Sequence, residues 1–350
     1  MNSKDIAKLA GVSRSTVSRV VNNYSNLSIN TKEKVTEVIK KYGYVPHAPA
    51  RALAGKSNKI IGVFIVNINH HNERFVIYRN VHLSPFAAAV MDYASNSGYK
   101  VLVSLIDKKS DFENARELFY NKTIMGAIFI GANNCNQEIL KLIKSGYKLA
   151  IVDQEKYNDR ILENNCSNYI IVNSNNLIGA YKAVKHLIEY GHKEIAHICG
   201  DMNKFSGFKR LEGYKKAMNK AGLTVKNEYI VGGDFTEDSG YECAKKLFAN
   251  NNGITAVFTS NDTMAVSAMK AMKKMGIKIP DDISIVGYDD INIASYISPA
   301  LTTIKISISK IALIATRNLI NIIENGLNSS KYNTVSTELV VRESTRDIRV

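Results

Sequence analysis

The sequence contains no tryptophan, and only five prolines and four cysteines among 350 residues. With so little proline and 45% hydrophobic residues, a collagen-like or disordered chain is excluded, because there is enough apolar mass to bury cores. The cysteines (Cys135, Cys166, Cys199 and Cys243) are far apart and form no CxxC pair, which excludes a disulfide scaffold. No apolar run approaches the length of a membrane-spanning helix. The N-terminal stretch MNSKDIAKLAGVSRST lacks the apolar segment and cleavage site of a secretory signal, so a cytoplasmic location is expected. Neither GxGxxG nor GxxxxGKS occurs, which argues against a nucleotide-phosphate loop. Acidic residues are also in deficit, 32 against 46 Lys and Arg, for a net charge of +14. Such an excess points to a polyanionic partner, and the length to two or three domains.

The charge is concentrated. Residues 1–57 hold ten basic and three acidic side chains, a net +7 and thus half the total. Three short helical patterns fit this segment. The first places Ile6, Leu9 and Ala10 on one face, with Ser3 as its cap, and stops at Gly11. Ser13 caps the second, with Thr16 three positions on. The third begins near Asn30-Thr31-Lys32-Glu33, carries Val35, Val38 and Ile39, and ends at Lys41-Tyr42-Gly43. In the second pattern Val17, Val20 and Val21 point one way, and Arg14, Ser15, Ser18 and Arg19 the other. This is a helix-turn-helix layout, whose second helix enters the major groove of DNA. Arg14 and Arg19 can each grip guanine O6 and N7. The competing reading is an amphipathic helix whose arginines only face solvent.

The run Lys4-Asp5-Ile6-Ala7 through Ala10-Gly11-Val12-Ser13-Arg14-Ser15-Thr16-Val17-Ser18-Arg19-Val20-Val21-Asn22 closely resembles the N-terminal signature of the lac/gal repressor family of bacterial transcription regulators. That resemblance implies that Arg14, Ser15 and Arg19 read operator bases, with Thr16, Ser18 and Asn22 completing the DNA-contacting set. It continues through Tyr42–Pro46 and Ala50–Lys56, a hinge that becomes helical on DNA. There Leu53 corresponds to a leucine that wedges into the minor groove, flanked by Arg51. Such a wedge can unstack a base step. Pro49 departs from the pattern, so this hinge helix is expected to start at about residues 47–49 or to be shorter than usual.

From Lys59 onward, β-branched runs alternate with amphipathic stretches. The runs include 60–66, 101–106, 127–130, 149–152, 170–172, 195–199, 256–258 and 283–286. Helical patterns such as 86–97, 177–190, 211–221 and 263–275 lie between them. Alternation of this kind means parallel sheets with helices on both faces, in two domains. The family resemblance extends here, through Arg210-Leu211-Glu212-Gly213-Tyr214, Ser260-Asn261-Asp262 and Val286-Gly287-Tyr288-Asp289-Asp290. It implies a two-lobed effector domain similar to periplasmic sugar-binding proteins. The expected organisation is a small all-α helix-turn-helix domain (1–45), a hinge helix (46–57) and a two-lobed α/β effector and dimerisation domain (58–350). Its first lobe takes about 58–172 plus 301–329, and its second about 173–300 plus 330–350.

Ligands of such folds bind beyond the carboxyl ends of the strands. Arg210, Phe235, Asn261 and Asp289 match family positions that contact the effector, and Asp153, after the run 149–152, is a further candidate. A sugar suits this set. Carboxylate and guanidinium pair with vicinal hydroxyls, an amide does both, and an aromatic ring covers an apolar sugar face. Read without the family, Asp289 could be a turn residue, Arg210 a surface ion pair and Phe235 core packing. The segment 67–84 is longer than the family's usual loop. Its His70-His71 pair has no spaced third ligand and does not make a metal site, and no cofactor is expected.

The resulting expectation is a repressor. Two subunits pair through their effector regions, present helix-turn-helix units to a pseudo-palindromic operator, and respond to a small effector, a sugar or sugar derivative. A family regulator controlled by a phosphoprotein is the alternative. A sugar-processing enzyme fits poorly, because Asp281-Asp282 and Asp289-Asp290 are adjacent pairs that diverge and no nucleophile–base set stands out.

Overall fold

The structure is a computed structural model describing residues 2–21, 24, 27–43, 59–67, 81–157, 168–249, 253–326 and 332–349. The chain divides into two compact units. One comprises Met1–Ile60 with Arg116–Met125, and the other Ile61–Ala115 with Gly126–Val350.

In the first unit, α1 (Ser3–Ala10), α2 (Arg14–Val21) and α3 (Ile29–Lys41) pack around a small core of Ile6, Ala7, Ala10, Val17, Val20 and Val35. Asn2, and not Ser3, caps α1: its side chain accepts from the Lys4 and Asp5 N–H groups, while Asp5 Oδ2 accepts from Asn2 N–H. Ser28, and not the Asn30 region, caps α3 by accepting from Thr31 N–H. Leu9 is about half exposed rather than part of the core, because Ala7 and Ala10 let α2 and α3 approach on the Ile6 side. Gly11, at φ +61°, ends α1 in the left-handed conformation that glycine adopts without steric cost.

The second unit is built on two six-stranded sheets. In chain order the elements from Ile60 onward are β1 (Ile60–Val66), α4 (Leu83–Asn96), β2 (Lys100–Ile106), α5 (Asp111–Tyr120), whose residues 116–120 belong to the first unit, β3 (Gly126–Ile130), α6 (Gln137–Lys144), β4 (Leu149–Val152) and β5 (Tyr169–Ser174). Then come α7 (Asn176–Glu189), β6 (Ile195–Cys199), α8 (Phe205–Lys220), β7 (Ile230–Gly232), α9 (Glu237–Phe248), β8 (Ala256–Thr259), α10 (Asp262–Lys274) and β9 (Ser284–Asp289). The last are α11 (Ile293–Tyr296), β10 (Thr302–Lys305), α12 (Ile308–Asn325), β11 (Tyr332–Val335) and β12 (Glu338–Val340). The first sheet runs β11-β5-β4-β3-β1-β2 and the second β12-β10-β9-β8-β6-β7, so the two have matching orders. β3 pairs in parallel with β1 and β4, β5 with β4 and β11, β6 with β7 and β8, and β9 with β8 and β10, whereas β12 is antiparallel to β10.

Interior strands are apolar on both faces because helices cover both. Thus β3, β4 and β6 are buried along their whole length. The chain crosses between lobes three times. β5 ends in the first sheet and α7 packs on the second. β10 lies in the second sheet, whereas α12 packs on β3, β4, β5 and α4. β11 rejoins the first sheet, and β12 returns to the second. The later crossings therefore fall near 306 and 336, not near 301 and 330. Strand pairing by the short segments at 302–305 and 332–335 sets them, and neither segment forms a long apolar run.

Candidate functional site

Two regions gather the residues singled out above. On α2, Val17 and Val20 are buried while Arg14, Ser15, Ser18 and Arg19 are exposed and Thr16 is partly so. Ser13 Oγ accepts from Thr16 N–H at 3.1 Å and also meets the hydroxyls of Ser15 at 2.6 Å and Thr16 at 2.8 Å. Arg14 Nε donates to Ser3 Oγ at 2.9 Å, which ties the start of α2 to the start of α1. The face is therefore cationic and rich in hydroxyls, on a helix held by a short core. Asn22, Arg51, Leu53, the hinge and His70-His71 lie outside the described residues.

The second region is the crevice between the lobes, at the carboxyl ends of the strands. Asp289 ends β9 at φ +121°, and Asp153 follows β4 at φ +61°. Side-chain-bearing residues rarely hold such backbone conformations unless the surroundings enforce them, and they cluster at binding sites. Asp289 is buried, yet its Oδ1 has no hydrogen-bond partner among the described residues. Arg210 Nη2 stands 3.4 Å from it. Arg210, on α8, is held rigidly: Nε donates to Asn176 Oδ1 at 3.1 Å, Nη1 to the Ser260 carbonyl, and the guanidinium lies 3.8 Å from the Tyr288 ring centre. Phe235, at φ +73°, places its ring 5.6 Å from the same guanidinium and against Gly200. The structure thus brings Arg210, Phe235 and Asp289 together.

Asn261 plays a supporting part in this geometry. Its Oδ1 accepts from Met264 N–H at 2.9 Å, capping α10, and its Nδ2 donates to the Phe235 carbonyl at 2.9 Å. It fixes the backbone that carries Phe235. Asp153 accepts from Ser206 Oγ at 2.7 Å. Burial pushes its carboxyl pKa up, against the opposing pull of Ser206, Arg210 and Lys204.

Several neighbours carry no sequence signal of their own. His82, immediately before α4, bonds Asp289 Oδ2 through Nε2 at 2.8 Å. Burial disfavours its charge, but the adjacent Asp289 carboxylate outweighs this and its pKa is raised. Lys204 reaches the Gly131 carbonyl and Asn133 Oδ1, and burial lowers its pKa. His197 is stacked between Phe258 and Tyr214, and its Nδ1–H donates to the Phe258 carbonyl at 3.0 Å. Burial holds its pKa down at about 4, so it is neutral. Among the described residues no group of three or more His, Cys, Asp and Glu side chains could hold a metal, and no helix is long and apolar enough to cross a membrane.

Comparison with known proteins identifies the family. Residues 3–47 match the family described as bacterial regulatory proteins, lacI family, and residues 184–345 match the periplasmic binding protein-like domain. The chain is similar to a Bacillus subtilis (strain 168) protein named as probable HTH-type transcriptional repressor ExuR, with 32% identity over 98% of each chain. It is also 32% identical to the HTH-type transcriptional repressor PurR of Haemophilus influenzae (strain PittEE), over 99% of this chain and 98% of the other. Among solved structures it is similar to the lac repressor dimer bound to operator and the anti-inducer ONPF. The TM-score is 0.79, with 26% identity over 98% of each chain. A complex of the regulator CelR with cellobiose gives a TM-score of 0.73 with 25% identity, over 98% of this chain and 99% of that one.

Proposed function

The chain belongs to the lacI family of bacterial regulatory proteins and is a DNA-binding transcriptional repressor rather than an enzyme; from that premise we propose that a small polyhydroxylated effector, a sugar or sugar derivative, controls its operator affinity from the crevice between the lobes. The observation that carries this reading is Asp289 Oδ1, a buried carboxylate oxygen that has no hydrogen-bond partner among the described residues and lies beside a fixed guanidinium. Buried acceptors are nearly always satisfied, and a pair of ligand hydroxyls satisfies this one. Phe235 supplies an apolar face for the ring, and Asp153 a second acceptor from the other lobe.

On the DNA side, Arg14 and Arg19 read guanine edges, and Ser15, Thr16, Ser18 and Asn22 contact bases or phosphates. Arg51 and Leu53 act at the operator centre. Two copies pair to match a pseudo-palindromic operator in the cytoplasm. Effector binding redistributes the lobes and changes operator affinity by about 1–3 kcal/mol, the usual scale of allosteric coupling.

A thermal-shift screen of the full chain against neutral sugars, uronates and sugar phosphates, repeated with Asp289→Asn, tests this. A melting rise with one sugar class that Asp289→Asn abolishes is expected. A chain stabilised by none of them, or equally stabilised in the variant, overturns the crevice assignment.

A further inference from the structure

The lobes are tied together crosswise. Asp153 of the first lobe is bonded by Ser206, near the start of α8 in the second. Asp289 of the second lobe is bonded by His82, at the start of α4 in the first. β4 and β9 hold corresponding places in their sheets, and so do β1 and β6, the strands that precede α4 and α8. Two further ties cross the same gap. Lys204 Nζ donates to the Gly131 carbonyl and Asn133 Oδ1, and Asn134 N–H donates to the Asn203 carbonyl at 2.7 Å.

Chemically these ties differ. The Ser206 hydroxyl and the Asn134 amide keep their character across neutral pH; burial shifts the Asp153 carboxyl up and the Lys204 ammonium down, while an imidazole titrates near neutrality from the outset. We propose that His82 is a proton-gated latch: its imidazolium holds Asp289 and draws the lobes together in the effector-free protein, and an entering effector must displace it from Asp289 Oδ2. Among the described residues, the titratable and charged groups that face His82 are Asp289, Arg210 and Asp262, whose carboxyl ionises only as pH rises through about 7. Burial and Arg210 oppose the imidazolium, while Asp289 and Asp262 favour it, and the balance lies above the ordinary 6.5. A pair with a raised folded pKa contributes its stability fully below the unfolded value and loses it as pH rises through the folded one. The latch is therefore closed in acid and released in alkali, and effector uptake is easier at the higher pH.

This inference rests on the crevice being the effector site, but its test uses no effector. Full-length wild type, His82→Gln, Asp289→Asn and the double variant are compared by thermal melting from about pH 6 to about pH 9. Hydrogen exchange is followed at the peptide containing Asn134, whose N–H bridges the lobes. The expected result is a melting advantage of wild type over His82→Gln that is present at the acid end, fades with rising pH and vanishes in the Asp289→Asn background. Exchange at Asn134 should be about tenfold faster in His82→Gln than in wild type at the acid end and equal at the alkaline end. Parallel melting profiles for wild type and His82→Gln, or equal Asn134 exchange at both ends, overturn the latch. Either failure leaves the sugar screen to stand on its own, and a failed screen leaves the latch measurable.

Discussion

The carboxylate of Asp262 lies against Gly287, in the space that a Cβ at that position would occupy. The contact joins the first residue of α10 to the middle of β9. Thr303 Oγ1 donates to Asp262 Oδ1 at 2.5 Å and Ile291 N–H to Oδ2 at 2.9 Å, so one buried carboxyl ties together β9, β10 and the turn after Asp289. Glycine at 287 is what makes room for it.

Burial, and the nearby Asp289 charge, push the Asp262 carboxyl pKa up to about 7, from an ordinary 3.8. The folded state therefore holds a proton that the unfolded chain has released. The stability this contributes is complete below the unfolded value and is lost as pH rises through about 7. Melting temperature should fall more steeply between these limits in wild type than in Asp262→Asn. Identical slopes would show that Asp262 stays ionised.

Removing Arg210 should cost far more than a surface charge. Arg210→Met strips Asp289 of its buried counter-ion, leaves the Ser260 carbonyl without its donor, and leaves Asn176 Oδ1 with only the Ser174 hydroxyl. Breaking a buried pair from one side costs about 3–5 kcal/mol. Urea denaturation should report a loss of that order. Asp289→Asn in the Arg210→Met background should then cost less than it does in wild type.

Phe235 is exposed to a subtler test. A Cβ at Gly200 would overlap its ring, so Gly200→Ala must displace the aromatic face from the crevice. Overpacking of this kind costs about 1–3 kcal/mol. The expected outcome is a modest fall in melting temperature with a complete loss of the sugar-induced shift. An unchanged shift would mean that Phe235 does not cover the ligand.

At the other end of the chain, Arg19→Ala should lower affinity for a sequence selected by the wild-type protein by about 1–3 kcal/mol and relax the preference at one base pair of each half-site. Fluorescence anisotropy with matched and substituted duplexes reads both. A uniform loss across all sequences would assign Arg19 to phosphate rather than to a base.

Sequence alone determined what depends on near neighbours. The Arg14–Arg19 face, the Gly11 turn and the Val17 and Val20 contacts follow from helical spacing. β1, β4 and β6 are legible because a strand buried on both faces must be apolar throughout. The resemblance singles out Arg210, Phe235 and Asp289, and the fold places the three side by side. Tertiary structure decided the rest. β10, β11 and β12 read TTIK, YNTV and ELV, too short and mixed to stand out. Their pairing partners alone make them strands and place the lobe crossings. Asn261 became a cap and a brace for Phe235 through where β8 ends. His82 meets Asp289 across 207 positions of chain, a pairing that no local pattern encodes, because it exists only once two separately folded lobes bring their strand ends face to face.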